Sequence, residues 1–270
     1  MNSGSPSSPS TTTGRAFLLV EENHSYSEVV GNGSMPYLNS LASRYGLATE
    51  YFANSHPSIG NYFMLTAGQI ETTDDGFSGT VSDDNIVREL VKANKTWHSY
   101  AESLPQAGYT GPDVYPYLRH HNPFAYFSDV VGTSQAGNIV PFSQFRADLT
   151  SGSLPDFSFI VPNALDDAHD GTLAQADQWL QTNIDPLIKS SVFQNNGLLV
   201  IVFDESEVTD TENGGGHVCF VVVGPKVKSG FQSSTLFQHQ STLRLMLTTV
   251  GLNSFPGLSA TAPDMGEFLQ

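Results

Sequence analysis

Residues Leu198 to Phe203 read LLVIVF, apolar at every position, and Asp204 and Glu205 follow at once. Successive strand residues point to opposite faces, so such a run is buried on both sides. That requires a sheet covered by helices front and back, the setting of parallel strands. Phe17 to Val20 repeats the pattern and ends in Glu21-Glu22-Asn23. Phe157 to Val161 and Val218 to Val223 read the same way, and Leu47 to Ala53 and Thr96 to Tyr100 are weaker strands. Between them lie segments of helical spacing. Met35 to Tyr45 carries Leu38, Leu41, Ala42 and Tyr45, with Gly46 as its stop. Asn85 to Ala93 sets Ile86, Leu90 and Val91 on one side. Phe142 to Leu149 is a further helix. Thr172 to Leu187 carries Leu173, Ala176, Trp179, Leu180 and Ile184. Ser241 to Val250 ends at Gly251. Strands alternating with helices predict an α/β fold, a mainly parallel central sheet flanked by helices. No repeat or internal boundary is visible, so residues 15–270 read as one domain. Residues 103–140 lack a period, as functional or mobile segments do.

Composition narrows the partners. Eleven Lys and Arg against 27 Asp and Glu leave a net charge of −16. That argues against nucleic acid and, with no basic run, against an anionic membrane surface. As a default, an acidic surface serves solubility. No apolar run is long enough to span a membrane as a helix. Cys219 is the single cysteine, so no intramolecular disulfide forms, and its apolar run predicts a buried, inert thiol. Met1 to Gly14 is nearly all Ser, Thr, Gly, Pro and Asn, a flexible tether or cloning remnant. Such tethers often follow a cleaved export signal, which fits a secreted, periplasmic or surface-tethered protein.

Ligands in open α/β sheets bind beyond the carboxyl ends of strands. Polar sets stand at those ends here: Glu22-Asn23, Asp204-Glu205, and Asn163, Asp166, Asp167, His169 and Asp170 after Phe157–Val161. A lone pair of strand-end carboxylates reads best as solvated or as a helix cap. Two acidic pairs converging without Lys or Arg repel one another, and a divalent cation removes that repulsion. Both members of a pair reach one ion only if the chain has already turned off the strand. The oxygen donors suit Ca²⁺ or Mg²⁺, and a transition metal if histidines join. The stretch Asn54-Ser55-His56-Pro57-Ser58-Ile59-Gly60-Asn61 places Ser58 at a helix start, where backbone N–H groups and the positive helix end favour an anion. Taken alone, it reads better as a Ser N-cap after a Pro turn. Together with the strand-end sets it reads as a metal-assisted site with Ser58 as nucleophile. No G-x-S-x-G elbow supports Ser-His-Asp acyl chemistry, and no G-x-x-x-x-G-K-[ST] loop supports nucleotide chemistry of that kind.

The segments VEENHSYSEVVGNGSMPYLNSLA, HPSIGNYFMLTAG, FIVPNALDDAHDGTLAQADQWL and LLVIVFDES resemble, in order, the phosphoesterase family of acid phosphatases and bacterial phospholipases C, within the alkaline phosphatase superfamily. The likeness runs from about Phe17 to Leu252. It implies an alkaline-phosphatase-like α/β sandwich and a metal-dependent phosphoesterase. Most directly this is an acid phosphatase working on phosphomonoesters through a phosphoserine. The substrate is a small phosphate ester, with phosphoinositides or other phospholipids admitted. The likeness implies Glu22, Asn23, Asp204 and Glu205 as metal ligands, Ser58 as nucleophile and Asn61 as a phosphate-binding amide. His121 and His169 match pocket histidines that bind phosphate or assist the leaving group, with Asp170 beside them. Competing readings are a phospholipase C-type phosphodiesterase and a non-catalytic surface binding protein that kept the fold.

The chain departs from that pattern in places. Gly60 stands where the family has Pro, which predicts a less rigid loop after Ser58. The stretch Val208 to His217, ending in ENGGGH, has no counterpart, and His217 reads as a loop residue. His239 matches a family histidine or caps the last helix. His24, His56 and His98 read as structural, and His120 as the neighbour that faces away when His121 faces the pocket. Relatives with two zinc ions hold the second largely by histidine and aspartate. Glu205 sits where such a histidine would be expected, so one divalent ion is predicted, Ca²⁺ or Mg²⁺ favoured.

Overall fold

The computed structural model describes residues 14–270. The expected tether therefore lies outside the described residues, apart from its last position. Gly14 is buried and donates its N–H to Thr249 O at 2.8 Å, so the packed chain starts one residue earlier than its composition suggested. In chain order the elements are β1 (Arg15–Glu21), α1 (Tyr26–Val29), α2 (Pro36–Arg44), β2 (Gly46–Ala48), β3 (Tyr51–Phe52), α3 (Ser58–Ala67), α4 (Ile86–Lys92) and β4 (Trp97–Ala101). Then follow β5 (Ile139–Pro141), α5 (Phe142–Ser151), β6 (Phe157–Val161), α6 (Leu173–Lys189), α7 (Ser191–Asn196), β7 (Gly197–Phe203), β8 (Phe220–Val223), β9 (Phe231–Ser233), β10 (Phe237–Gln238) and α8 (His239–Thr249).

Eight strands form one sheet in the order β5-β4-β6-β1-β7-β8-β2-β9. All neighbours are parallel except β8, which runs against both β7 and β2. The apolar runs that predicted a two-sided sheet, β1, β6 and β7, are its centre, and β7 is buried throughout. Burying each such Leu, Ile or Val contributes about 1.5–3 kcal/mol. Among the described residues no helix is long and apolar enough to cross a membrane.

Three readings needed correction. Leu47 to Ala53 is two strands: the chain leaves the main sheet after Ala48, and Tyr51–Phe52 pairs with β10 in a separate ribbon. On α4 the buried set is Ile86, Val87 and Leu90, while Val91 is exposed. The run from Val218 becomes strand only at Phe220, because Val218 forms a bridge with Ser25 instead. Elsewhere local signals act as expected: Asn85 caps α4 through Arg88 N, Thr172 caps α6 through Gln175 N, and Pro36 opens α2.

Candidate active site

The β1–β7 register creates the site. Glu21 lies opposite Phe203, so the next residues, Glu22 and Asp204, leave adjacent strands side by side. Asp204 N donates to Glu21 O at 3.0 Å. Strand alternation sends Glu21 and Glu22 to opposite faces, and both are fully buried. Asn23 then adopts φ 53, a left-handed turn that asparagine tolerates better than most residues. That turn lets Asn23 face the same point as Glu22, and its N–H donates to Asp204 Oδ1 at 3.2 Å.

Ser58 does not cap α3. Pro57 is the N-cap and Ser58 the first helical residue, so its side chain is free to face the carboxylates. Ser58 Oγ lies 3.3 Å from Glu22 Oε2, 3.4 Å from Asn23 Oδ1 and 3.4 Å from Glu205 Oε1. One hydroxyl proton cannot serve three acceptors. Asn23 shows the same excess. Turned over, its amide nitrogen would lie 3.1 Å from Glu205 Oε1 and 3.3 Å from both Glu22 Oε2 and Asp204 Oδ1. Its side chain therefore faces a shell of acceptors, which either a donating NH₂ or a cation satisfies. Asp204 Oδ2 is buried and has no hydrogen-bond partner. Burial pushes Asp204 up to about 6. Burial, with the Asp204 charge beside it, pushes Glu205 up to about 9. Burial, Asp204 and Asp167 hold Glu22 well above the usual carboxylate range. No Lys or Arg pairs with this cluster among the described ion pairs; the nitrogen-bearing side chains beside it are histidines. Oxygen donors short of positive charge fit a divalent ion.

The pocket histidines gather at one flank. His121 is buried, with Nδ1 3.1 Å from Asp167 Oδ2 and Nε2 3.6 Å from Glu22 Oε1. Tyr62 stacks on its ring and donates its hydroxyl to the same Glu22 oxygen. Glu22, His121 and Asp167 form a buried trio whose ligand atoms also could hold a metal ion. Burial, with His169 nearby, lowers His121 to about 3, so it is neutral. Burial pushes Asp167 up to about 8, against the hydrogen bond it accepts from His169 N. His169 is exposed, its ring 5.5 Å from that of His121, and Nδ1 lies 2.9 Å from Asp170 Oδ1. Asn61 is buried in the first turn of α3. Its Oδ1 accepts from Asn54 N and Ser55 N, and one amide proton goes to Ser55 O. Its nitrogen also lies 3.5 Å from Glu205 Oε2, so the second amide proton is directed at the site.

Other histidines divide. His56, read as structural from the sequence, reaches the cluster: Nδ1 lies 3.0 Å from Glu205 Oε2 and Nε2 2.9 Å from Asp210 O. His239 opens α8 with Nε2 2.6 Å from Asp204 O and Nδ1 3.1 Å from the Tyr51 hydroxyl, so it braces the Asp204 backbone. His217 stacks between Tyr26 and Phe52 and lies away from the cluster. His24 pairs with Glu28, and His98 sits against Tyr100 and Asp148. Asp166 bonds Gln175 and Asn163, outside the site. The glycines of ENGGGH serve close backbone approach. A Cβ on Gly214 would lie 2.2 Å from Asn54 O, and one on Gly215 2.5 Å from Ser55 O. Gly215 N donates to Ala53 O and Ala53 N to Gly216 O, clamping the segment that leads to Ser58.

A family model described as the phosphoesterase family matches residues 31–253. The chain is 33% identical over 260 residues to a phosphatidylinositol-3-phosphatase of Mycobacterium tuberculosis, covering 95% of this chain and 83% of that one. It is 31% identical over 239 residues to a probable acid phosphatase of Kluyveromyces lactis, covering 85% of this chain but 56% of the yeast protein. Among solved structures, a protein of the alkaline phosphatase superfamily from Vibrio parahaemolyticus superposes with a TM-score of 0.63 at 14% identity, covering 89% of this chain and 67% of that one. That likeness is one of fold.

Proposed function

The chain belongs to the phosphoesterase family and hydrolyses phosphoric esters, and from that premise we propose a metal-dependent phosphomonoesterase of the acid phosphatase type, residues 15–270 acting as one domain. The observation that carries this reading is Ser58 Oγ, buried, at a helix start, within 3.4 Å of Glu22, Asn23 and Glu205. Ser58 Oγ gives its proton to Glu22 Oε2, 3.3 Å away, and attacks phosphorus in line; its new P–O bond forms as the bond to the leaving oxygen breaks, and a phosphoserine results. His169, the more exposed of the paired histidines, gives the leaving oxygen its proton. His121, neutral and held between Glu22 and Asp167, orients the flank of the pocket. The second amide proton of Asn61, held loosely toward Glu205 at 3.5 Å, turns to bind a phosphate oxygen. Water then attacks the phosphoserine, giving a proton to His169; the bond from phosphorus to Ser58 Oγ breaks, Ser58 takes back the proton held by Glu22, and phosphate and the free hydroxyl are restored.

Glu22, Asn23, Asp204 and Glu205 would hold one divalent ion, Ca²⁺ or Mg²⁺ by donor type. When bound, it would ease formation of the Ser58 alkoxide and offset charge on a phosphate oxygen. In the trio with Asp167, His121 Nδ1 is met by Asp167 while Nε2 stands 3.6 Å from Glu22 Oε1 without a hydrogen-bond partner, so the one-ion reading rests on the oxygen donors around Ser58 and not on this flank. The substrate is a small phosphate ester, and the mycobacterial likeness supports a phosphoinositide or another phospholipid headgroup. Ser58→Ala tests the reading. Turnover of a chromogenic phosphomonoester should fall at least about a thousandfold, with no phosphoprotein trapped on rapid acid quench. Near-native turnover in that variant would remove Ser58 from its role.

A further inference from the structure

Ile59, the residue after Ser58, donates its backbone N–H to Asp75 Oδ1 at 3.0 Å. The first turn of a helix is where a phosphate oxygen finds free N–H groups. One of those groups is thus taken by a carboxylate of the chain itself. Asp75 reaches it because α3 stops at Gly68, in the left-handed conformation, and the following segment returns toward the helix start. Gly60 makes room for that return. A Cβ there would lie 3.3 Å from Ile70 Cγ2, 3.3 Å from Thr72 O and 2.4 Å from Ser55 Oγ. The charge of Asp75 is felt across the site: after burial and Asp204, it is the next influence raising Glu205.

We propose that Asp75 is a specificity-determining residue, a fixed negative charge beside Ser58 that makes the site favour phosphate esters carrying one negative charge over those carrying two. The inference rests on the phosphoesterase reading above and deepens it. A phosphomonoester has a second pKa near 6, so it carries one charge in acid and approaches two at neutral pH, whereas a diester keeps one. A carboxylate at the helix start repels the second charge and withdraws a donor from it. The same residue also caps the helix, and the two roles separate by substitution. Asp75→Asn keeps an oxygen acceptor for Ile59 N and removes the charge; Asp75→Ser is a second neutral acceptor.

The test compares wild type, Asp75→Asn and Asp75→Ser, loaded with metal, at about pH 8, where the monoester is dianionic. The readouts are kcat/KM on an aryl phosphomonoester and on a bis-aryl phosphodiester, and inorganic phosphate affinity by calorimetry. The monoester-to-diester ratio should rise roughly tenfold in both variants, and phosphate should bind more tightly by a similar factor. The increase should shrink in high salt. An unchanged ratio and unchanged phosphate affinity in a variant with native thermal midpoint would reduce Asp75 to a helix cap and overturn the proposal. Absence of turnover on both esters in the wild type would instead sink the phosphoesterase reading, and the phosphate calorimetry would still decide on Asp75.

Discussion

Asp177 and Asp204 are both buried carboxylates at the edge of the same core, and they live under opposite conditions. Asp177, on α6, is 4% exposed, and both its oxygens are met: Leu38 N donates to Oδ1 at 2.8 Å and Tyr37 N to Oδ2 at 2.9 Å. It closes the N-terminus of α2 from a neighbouring helix, where free N–H groups and the helix dipole welcome an anion. Asp204 is fully buried, has one oxygen without a partner, and shares its space with Glu22 and Glu205. A structural carboxylate is supplied with donors by the fold. The cluster around Ser58 is supplied mostly with more acceptors, an arrangement that folding alone does not favour and that a cation makes sense of.

Substitutions should separate the two regions. Asp204→Asn is expected to cut kcat/KM by at least about a hundredfold and to lower bound metal from one equivalent to little, read by elemental measurement on purified protein. Full metal occupancy in that variant, or two equivalents in the wild type, would break the single-ion reading. Chelation should then expose the crowding. Glu205 in the metal-free fold is raised to about 9 from an ordinary 4.5, so the folded state holds a proton that the unfolded chain releases earlier. Its contribution is present below about pH 4.5 and is lost as pH rises toward about 9. Denaturant titrations of chelated protein across that window should show falling stability, and metal should flatten the decline. A flat profile without metal would say that the cluster is not short of positive charge. Asp177→Asn should have the smallest effect. A loss of about 1–3 kcal/mol in unfolding free energy is expected, with kcat and KM unchanged, since one amide N–H would then face a backbone N–H. A change in kinetics would show that α2 and α6 are coupled to the site.

Much of the site was legible because strand ends are. LLVIVF followed by Asp204-Glu205, and FLLV followed by Glu21-Glu22-Asn23, place carboxylates at the carboxyl edge of a parallel sheet before any coordinates are seen. Ser58 followed from the helix-start stretch joined to those strand ends, the roles of Asn61, His121 and His169 from the family resemblance, and the structure brings all four to the same end. Side chains that act across loops were not legible. Asp75 lies in a polar segment without period, and only the return path over Gly60 shows that it reaches Ile59 N. His56 looked like the residue before a proline, and its contact with Glu205 depends on β7 ending beside that loop. Asp167 was one of several acids, and the tight loop after β6 selects it: its carbonyl accepts from Glu22 N at 2.8 Å. Such pairings depend on loop conformation, which local propensity does not specify.

The place of β1 sets the order in which this molecule can be completed. Its neighbours are β6 and β7, so this strand finds its partners only after residues 157–161 and 197–203 have emerged. Until then FLLV is an unpaired apolar edge, open to wrong partners, and closing the sheet across so long a loop is slow. The proposed ion ligands repeat that separation, Glu22 and Asn23 on one strand end, Asp204 and Glu205 on the other. A nascent fragment ending before β7 carries half of the proposed cage, so the full proposed ligand set exists only in a chain whose central strand has already found its last neighbour.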